Sequence, residues 1–254
     1  MLTNLWLATG VTFFATALGA MPALFLRAIS DQRKDLLMGL SAGVMLAATC
    51  FSLLIPALEM AAVNRSALAG AGLVAAVFLL GALAIHLANE VIPHEHFFSG
   101  HEGHDAARLK RIWLFVLAIA IHNVPEGLAV GVTAGSGRPE IFVPLLVGIG
   151  FQDIPEGLVV ALALLANGYR IRDSFFVAVV TGVVEALGAA AGFFFVRAAE
   201  EILPWSLAFS AGMMLFVISK EMIPESHAHG YAKHATFGLM VGFAVMMVLD
   251  VALK

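Results

Sequence analysis

Residues 112–134 read IWLFVLAIAIHNVPEGLAVGVTA, and residues 141–166 read IFVPLLVGIGFQDIPEGLVVALALLA. A helix across a hydrocarbon core of about 30 Å takes about 20 mostly apolar residues, and both runs reach that length. Neither alternates apolar and polar residues over about 10 positions, as a barrel strand does, so both read as helices. Six further stretches qualify: Asn4–Leu26, Leu36–Ala62, Ala67–Ile92, Ser174–Val196, Leu203–Ile223 and Thr236–Leu253. The expected fold is therefore all-α, a polytopic bundle of eight transmembrane helices, with Ile112–Ala134 fourth and Ile141–Ala166 fifth. The first stretch lacks a basic leader and a small-residue cleavage site, so it is expected to stay in the mature chain.

Composition agrees. The 254 residues are 61% hydrophobic and only 13% charged, against roughly 25% charged in soluble domains, and mean hydropathy is +0.94. Fourteen Lys and Arg against eighteen Asp and Glu leave a net charge of -4. No basic surface is available to follow a phosphate backbone, which excludes nucleic acid as a partner. The lone cysteine, Cys50, excludes an internal disulfide and a cysteine-only metal site. Unbroken hydrophobicity points to one membrane domain over residues 1–254.

Positive residues near helix ends are retained in the cytoplasm. Ten Lys and Arg fall on one side of the eight stretches and four on the other. Both termini are then extracytoplasmic. The longest loop, residues 93–108, reads PHEHFFSGHEGHDAAR and faces the cytoplasm with His94, His96, His101 and His104.

The chemistry lies in a frame that occurs twice. His122-Asn123-Val124-Pro125-Glu126-Gly127 in the fourth helix matches Gln152-Asp153-Ile154-Pro155-Glu156-Gly157 in the fifth. In each copy the first polar residue and the glutamate are four apart and share a helix face, while the second is three from the glutamate on an adjoining face. Two neighbouring pockets sharing the glutamates are expected. Pro125 and Pro155 cannot donate an amide hydrogen, which should free the carbonyls of Ile121 and Phe151 and break the helices toward a pathway. Close helix approach is expected at Gly39 with Gly43 and at Gly127 with Gly131.

Magnitude decides between packing and function. Glu126, Asp153, Glu156 and Glu185 all lie inside apolar runs. At roughly 2.5 to 3.5 kcal/mol per acid near a helix centre, four would cost about 10 to 14 kcal/mol uncompensated. That matches the whole stability of a typical domain, about 5 to 15 kcal/mol. Every arginine lies near a helix end and Lys220 is the only base within a run, so a divalent cation is the economical counter-charge. One imidazole, one amide and several carboxylates, without thiolate, suit zinc, iron(II), manganese or cadmium.

These motifs, the eight-helix hydropathy and the His-bearing loop resemble the ZIP (Zrt/Irt-like protein) divalent-metal transporters over essentially the whole chain, in the bacterial GufA-like branch. The resemblance implies a transporter that carries a divalent metal cation, zinc foremost with Cd2+, Fe2+ or Mn2+ as alternatives, across the bacterial inner membrane into the cytoplasm. It implies one metal position at His122, Glu126, Gln152 and Glu156, and a second at Asn123, Asp153 and Glu185 bridged by the two glutamates. By the same matching Met45, Asp35, Glu59, Glu221 and Asp250 lie along or near the pathway, and His94, Glu95 and His96 form a cytoplasmic acceptor. Gln152 stands where many members carry histidine, and Lys220 stands where the branch has histidine beside the position of Glu221. The expected partners are metal ions, lipid and a second copy of the chain as a homodimer.

A membrane-embedded metal-dependent enzyme or a metal sensor is the competing reading. Helical H-E-x-x-H is absent, since His101-Glu102-Gly103-His104 is one residue short and lies in a loop. Glu-x-x-His is absent as well. Gly39-Leu40-Ser41-Ala42-Gly43 fits G-x-S-x-G only formally, because that motif needs a strand-to-helix elbow. No enzymatic activity is expected.

Overall fold

A computed structural model describes residues 2–25, 29–63, 65–91, 106–166, 168–198 and 200–253. Among them there is no strand. Eight helices follow one another: α1 Leu2–Ala20, α2 Asp31–Ala62, α3 Ala67–Val91, α4 Ala106–Gly135, α5 Pro139–Ala166, α6 Ile171–Ala198, α7 Leu203–Ser226 and α8 Ala232–Ala252. Seven are long and apolar enough to cross a membrane. The eighth, α4, has 30 residues, about 45 Å of helix at 1.5 Å per residue. The chain is a multi-pass membrane protein.

Several ends differ from the expected stretches. The first run stops being α-helical at Ala20 and passes into a 3-10 turn, Met21–Leu24, which contains Pro22. The helices α2, α4 and α7 run several residues beyond their apolar runs, because a helix entering water loses no backbone hydrogen bond and needs no apolar side chains there. The loop at 93–108 lies mostly outside the described residues. Of its members only 106–108 are described, as backbone at the start of α4.

The expected helix breaks at Pro125 and Pro155 are corrected. Both helices stay α-helical through them, and α5 also continues through Pro144. A missing amide hydrogen removes one bond without ending a helix that is packed on several sides. Departures from α geometry fall elsewhere. A π segment at Thr49–Leu54 interrupts α2 and another at Ile218–Met222 interrupts α7, each followed directly by Ile-Pro. The wider turn makes room for the ring of Pro56 or Pro224 against the preceding carbonyls.

Glycine sets the closest approaches, as expected for small residues in lipid. A Cβ on Gly39 or Gly43 would meet the backbone carbonyl of Ala235 or Leu239 on α8, and one on Gly238 or Gly242 would meet Leu36 or Leu40 on α2. The same reciprocity joins α3 to α7 through Gly81 and Gly212. It also joins α4 to α6 through Gly127, Gly131 and Gly192, and α1 to α5 through Gly19 and Gly157.

The most extensively packed pairs are α2 with α8, α4 with α6, α3 with α7, and α1 with α5 and α6. Exchanging α1 with α6, α2 with α7, α3 with α8 and α4 with α5 maps these pairs onto one another. Sequence carries the same relation, since residues 11–20, VTFFATALGA, match residues 180–189, VTGVVEALGA, at six of ten positions. Both π segments obey it. The fold therefore has an internal two-fold, with α1, α4, α5 and α6 forming one group and α2, α3, α7 and α8 the other.

An 18-residue, membrane-length stretch of α2 and of α5 is 67% buried, whereas the corresponding stretches of α3 and α8 are mostly outward-facing. Their outer surfaces, with those of α1 and α6, expose Trp6, Phe14, Leu79, Phe176, Phe194 and Phe237. In a bilayer that surface meets acyl chains.

Candidate metal centre

The two repeated motifs face each other. Glu126 of α4 and Asp153 and Glu156 of α5 are buried, and each offers a carboxylate oxygen within 4.8 Å of the other two. Gln152 is fully buried and its Nε2 donates to Glu126 Oε1 at 2.6 Å, tying α5 to α4. Asn123 Nδ2 donates to the Thr181 carbonyl of α6 at 3.2 Å. Glu185 is fully buried on α6. Its backbone carbonyl sits where a Cβ of Gly127 would be, so the glycine after Glu126 draws α6 against α4 beside the cluster. Gly157 does the same after Glu156, against the Thr16 carbonyl of α1.

The internal two-fold thus pairs Glu185 with Thr16, at the one polar position where the ten-residue repeat differs in charge. Thr16 satisfies itself by donating from Oγ1 to the Thr12 carbonyl at 3.1 Å. Acid is supplied from the α6 side alone, and the site is asymmetric about a symmetric frame.

His122 departs from the simplest expectation. Its Nε2 engages Glu221 Oε2 on the π segment of α7, joining the two helix groups. A carboxylate only accepts, so in the neutral ring Nε2 carries the proton and Nδ1 keeps the lone pair. That Nδ1 is buried and unpartnered. His122 and Glu185 stand outside the tight three-carboxylate group.

The polar accounting is one-sided. Nine buried side-chain nitrogen and oxygen atoms lack a hydrogen-bond partner among the described residues. Eight of the nine belong to His122, Asn123, Glu126, Gln152, Asp153, Glu156 and Glu185. No Lys or Arg pairs with the four acids among the described residues. Lys220, the base within an apolar run, lies with Nζ 5.4 Å from the centre of the Phe216 ring. Leaving buried polar atoms unpaired costs about 1 to 3 kcal/mol each, more when charged, so their concentration in the two motifs and Glu185 calls for a further partner.

The remaining expected residues are spread along the bundle. Met45 is buried on α2. Asp250 of α8 is buried and accepts from Ser52 Oγ at 2.8 Å, across the π segment of α2. Asp35 is fully buried near the start of α2 and accepts from His229 Nδ1 and the Tyr231 amide. Glu59 is exposed and lines a cavity of about 1060 Å³ at the end of α2, with Glu140, Glu201, Arg65, Arg138 and Trp205. His94, Glu95 and His96 lie outside the described residues. Sequence reasoning passed over the pairings of Asp35 with His229 and Ser52 with Asp250. It also missed Thr181, although the repeat of residues 11–20 in 180–189 carried that signal.

The fold and the site define a polytopic helical membrane protein with three buried carboxylates gathered in its interior. A sequence profile described as "ZIP Zinc transporter" matches residues 94–250. The chain is 46% identical to "Zinc transporter GufA" of Myxococcus xanthus over 240 residues, 94% of each chain. It is 48% identical to "Zinc transporter ZIPB" of Bordetella bronchiseptica over 243 residues, covering 95% of this chain and 78% of that one. Identity to "Zinc transporter ZupT" of Chlorobaculum parvum is 30% over 246 residues, 92% of this chain and 91% of the other. The chain belongs to the ZIP zinc transporter family.

Proposed function

We propose that this chain carries a divalent cation, zinc foremost, across a bacterial inner membrane into the cytoplasm, as a transporter and not an enzyme. The substrate site is the cluster of His122, Asn123, Glu126, Gln152, Asp153, Glu156 and Glu185. The observation that carries this reading is that Glu126, Asp153 and Glu156 are buried with carboxylate oxygens within 4.8 Å of one another, and that each keeps an oxygen without a hydrogen-bond partner. A dication supplies the charge and the coordination these atoms lack. Carboxylates replace its water shell inside the membrane, while release requires that no single conformation hold it too tightly. Family relatives named as zinc transporters support the choice of ion. Cadmium, manganese and iron(II) suit the same oxygen-rich donors. All seven side chains come from one chain, so the reading needs no second copy.

Alternating access follows from the two helix groups. With the cluster held by α4, α5 and α6, the group α1, α4, α5 and α6 moves against α2, α3, α7 and α8, so that the site faces one side at a time. His122 with Glu221, and Ser41 Oγ donating to the Gln152 carbonyl at 3.4 Å, are polar contacts that such a movement must exchange.

Purified protein in liposomes tests the reading directly. Radioactive zinc should accumulate in a saturable manner, with cadmium competing. Accumulation no greater than in protein-free liposomes would remove it. The His-bearing loop acts as a cytoplasmic acceptor in this scheme. Deleting His94–His104 should change the rate of uptake more than the zinc affinity of the core cluster, as read by zinc titration, because the loop supplies none of the seven core side chains. Unchanged kinetics across a zinc titration would dismiss the acceptor role.

A further inference from the structure

We infer that Met246 of α8, seated against Gly148 of α5, is a positioning residue for transport: its side chain is a yielding catch between the two helix groups that favours the arrangement seen here over a displaced one. The inference rests on the reading of the chain as a carrier whose two groups move, and names the contact that governs the movement.

Glycine contacts divide the bundle in the same way as the internal two-fold. Among the described helical glycines, every approach that would press a Cβ onto the backbone of another helix joins helices of one group. Such approaches tie α1 to α5 and α6, α4 to α6, α2 to α3 and α8, and α3 to α7. Backbone against backbone cannot give way unless a whole helix moves, so each group is fixed within itself.

Gly148 is the exception. A Cβ there would reach from one group to the other, and it would meet no backbone. It would meet the Met246 side chain, overlapping Sδ and lying 2.9 Å from Cε and 3.7 Å from Cγ. Met246 is fully buried and Gly148 is buried with it. The thioether therefore fills the notch that the missing Cβ leaves. Methionine suits such a contact, because an unbranched chain with three rotatable bonds can turn aside without shifting α8.

The notch lies next to the substrate site. Gly148 precedes Gln152 by four residues, one turn along the same face of α5, and Gln152 is the residue that holds Glu126. Ser41 of α2 donates to the Gln152 carbonyl at 3.4 Å. Two contacts from the other group thus bear on one turn of α5. The hydroxyl contact is long for an O–H donor, which leaves the packing of Met246 as the closer fit.

Packed helices that slide exchange one set of interdigitated side chains for another. The positions of α5 one turn to either side of Gly148 are occupied by the side chains of Leu145 and Gln152. Once α5 is displaced along α8, neither offers the thioether an equal notch. Met246 then adds stability to the arrangement seen here alone, and the barrier to leaving it is the turning of one flexible side chain.

The test uses the full chain with Cys50→Ser, since Cys50 is its only cysteine, and spin labels on Val63→Cys and Arg172→Cys. Val63 follows α2 and Arg172 begins α6, so these exposed positions belong to different groups. Pulsed electron spin resonance in lipid nanodiscs should give two label-to-label distances. Gly148→Ala should shift their ratio away from the arrangement seen here by about five-fold or more, and should change kcat for zinc uptake in liposomes more than KM. Adding Met246→Ala to Gly148→Ala should return both toward the unsubstituted values, because the shorter side chain leaves room for the new Cβ. Zinc bound per chain, counted by equilibrium dialysis, should be the same throughout, since neither residue is a ligand. A ratio and a kcat indifferent to Gly148→Ala, or a shift that Met246→Ala does not reverse, would overturn the catch while the movement of the groups stands. Loss of bound zinc in Gly148→Ala would also overturn it, by showing a deformed cluster in place of a moved one. A single distance in every variant, with and without zinc, would overturn the movement itself and the catch with it.

Discussion

Glu126→Ala combined with Glu156→Ala should bring zinc uptake into liposomes down to that of protein-free vesicles, a fall of at least about 100-fold. Outer supports of metal ligands already cost about 10- to 100-fold when removed, and these two glutamates are the ligands themselves. Each is buried, each keeps an oxygen without a partner, and with Asp153 they form the tightest acidic group among the described residues. Stability should move the other way. Without zinc the variant should unfold at the same temperature as the unsubstituted protein or above it, because mutually repelling buried acids have been removed. With zinc at about one hundred times its Kd, the unsubstituted protein should gain about 2.7 kcal/mol and the double variant should gain none there. Uptake retained by the double variant would detach the cluster from transport.

Gly127→Val should be comparably damaging through a different cause. A Cβ at residue 127 would occupy the place of the Glu185 carbonyl, which is backbone and has nowhere to retreat. Forcing α4 from α6 should cost about 1 to 3 kcal/mol of stability by overpacking, and it moves Glu185 away from Glu126. Uptake should fall by more than ten-fold even in the folded fraction. The two-fold mate, Gly157→Val, presses on the Thr16 carbonyl in the same way, with α1 displaced in place of α6. Wild-type thermal stability and uptake in Gly127→Val would show that the close approach of α4 and α6 does not position the site.

Charge in apolar runs is what made the centre legible. Glu126, Asp153, Glu156 and Glu185 stand out against their neighbours on cost alone, and the repeated PEG frame places two of them at matching heights on adjacent helices. The pairing of His122 with Glu221 was not legible, since it joins residues 99 apart in sequence through the π segment of α7. Nor was Asp35 with His229, which depends on the backbone turn at Gly230. Helix ends were blurred for a plain reason. Hydropathy reports where lipid ends, while Asp31–Asp35 and Ala106–Arg111 continue the helix past that point. The prolines misled because ring chemistry predicts a lost hydrogen bond but not whether packing holds the helix together. The repeat of residues 11–20 in 180–189 was open to reading. Its Ala, Leu, Gly and Val pattern resembles any membrane run, and only the packing of α1 and α6 on the two PEG motifs gives it meaning.

Crystals grown with zinc, recorded on both sides of the zinc absorption edge, give the most direct measurement. Anomalous density should appear between Glu126, Asp153 and Glu156, with His122 Nδ1 or Glu185 drawn toward it. Density confined to the molecular surface, with those three carboxylates apart and facing lipid, would contradict the account.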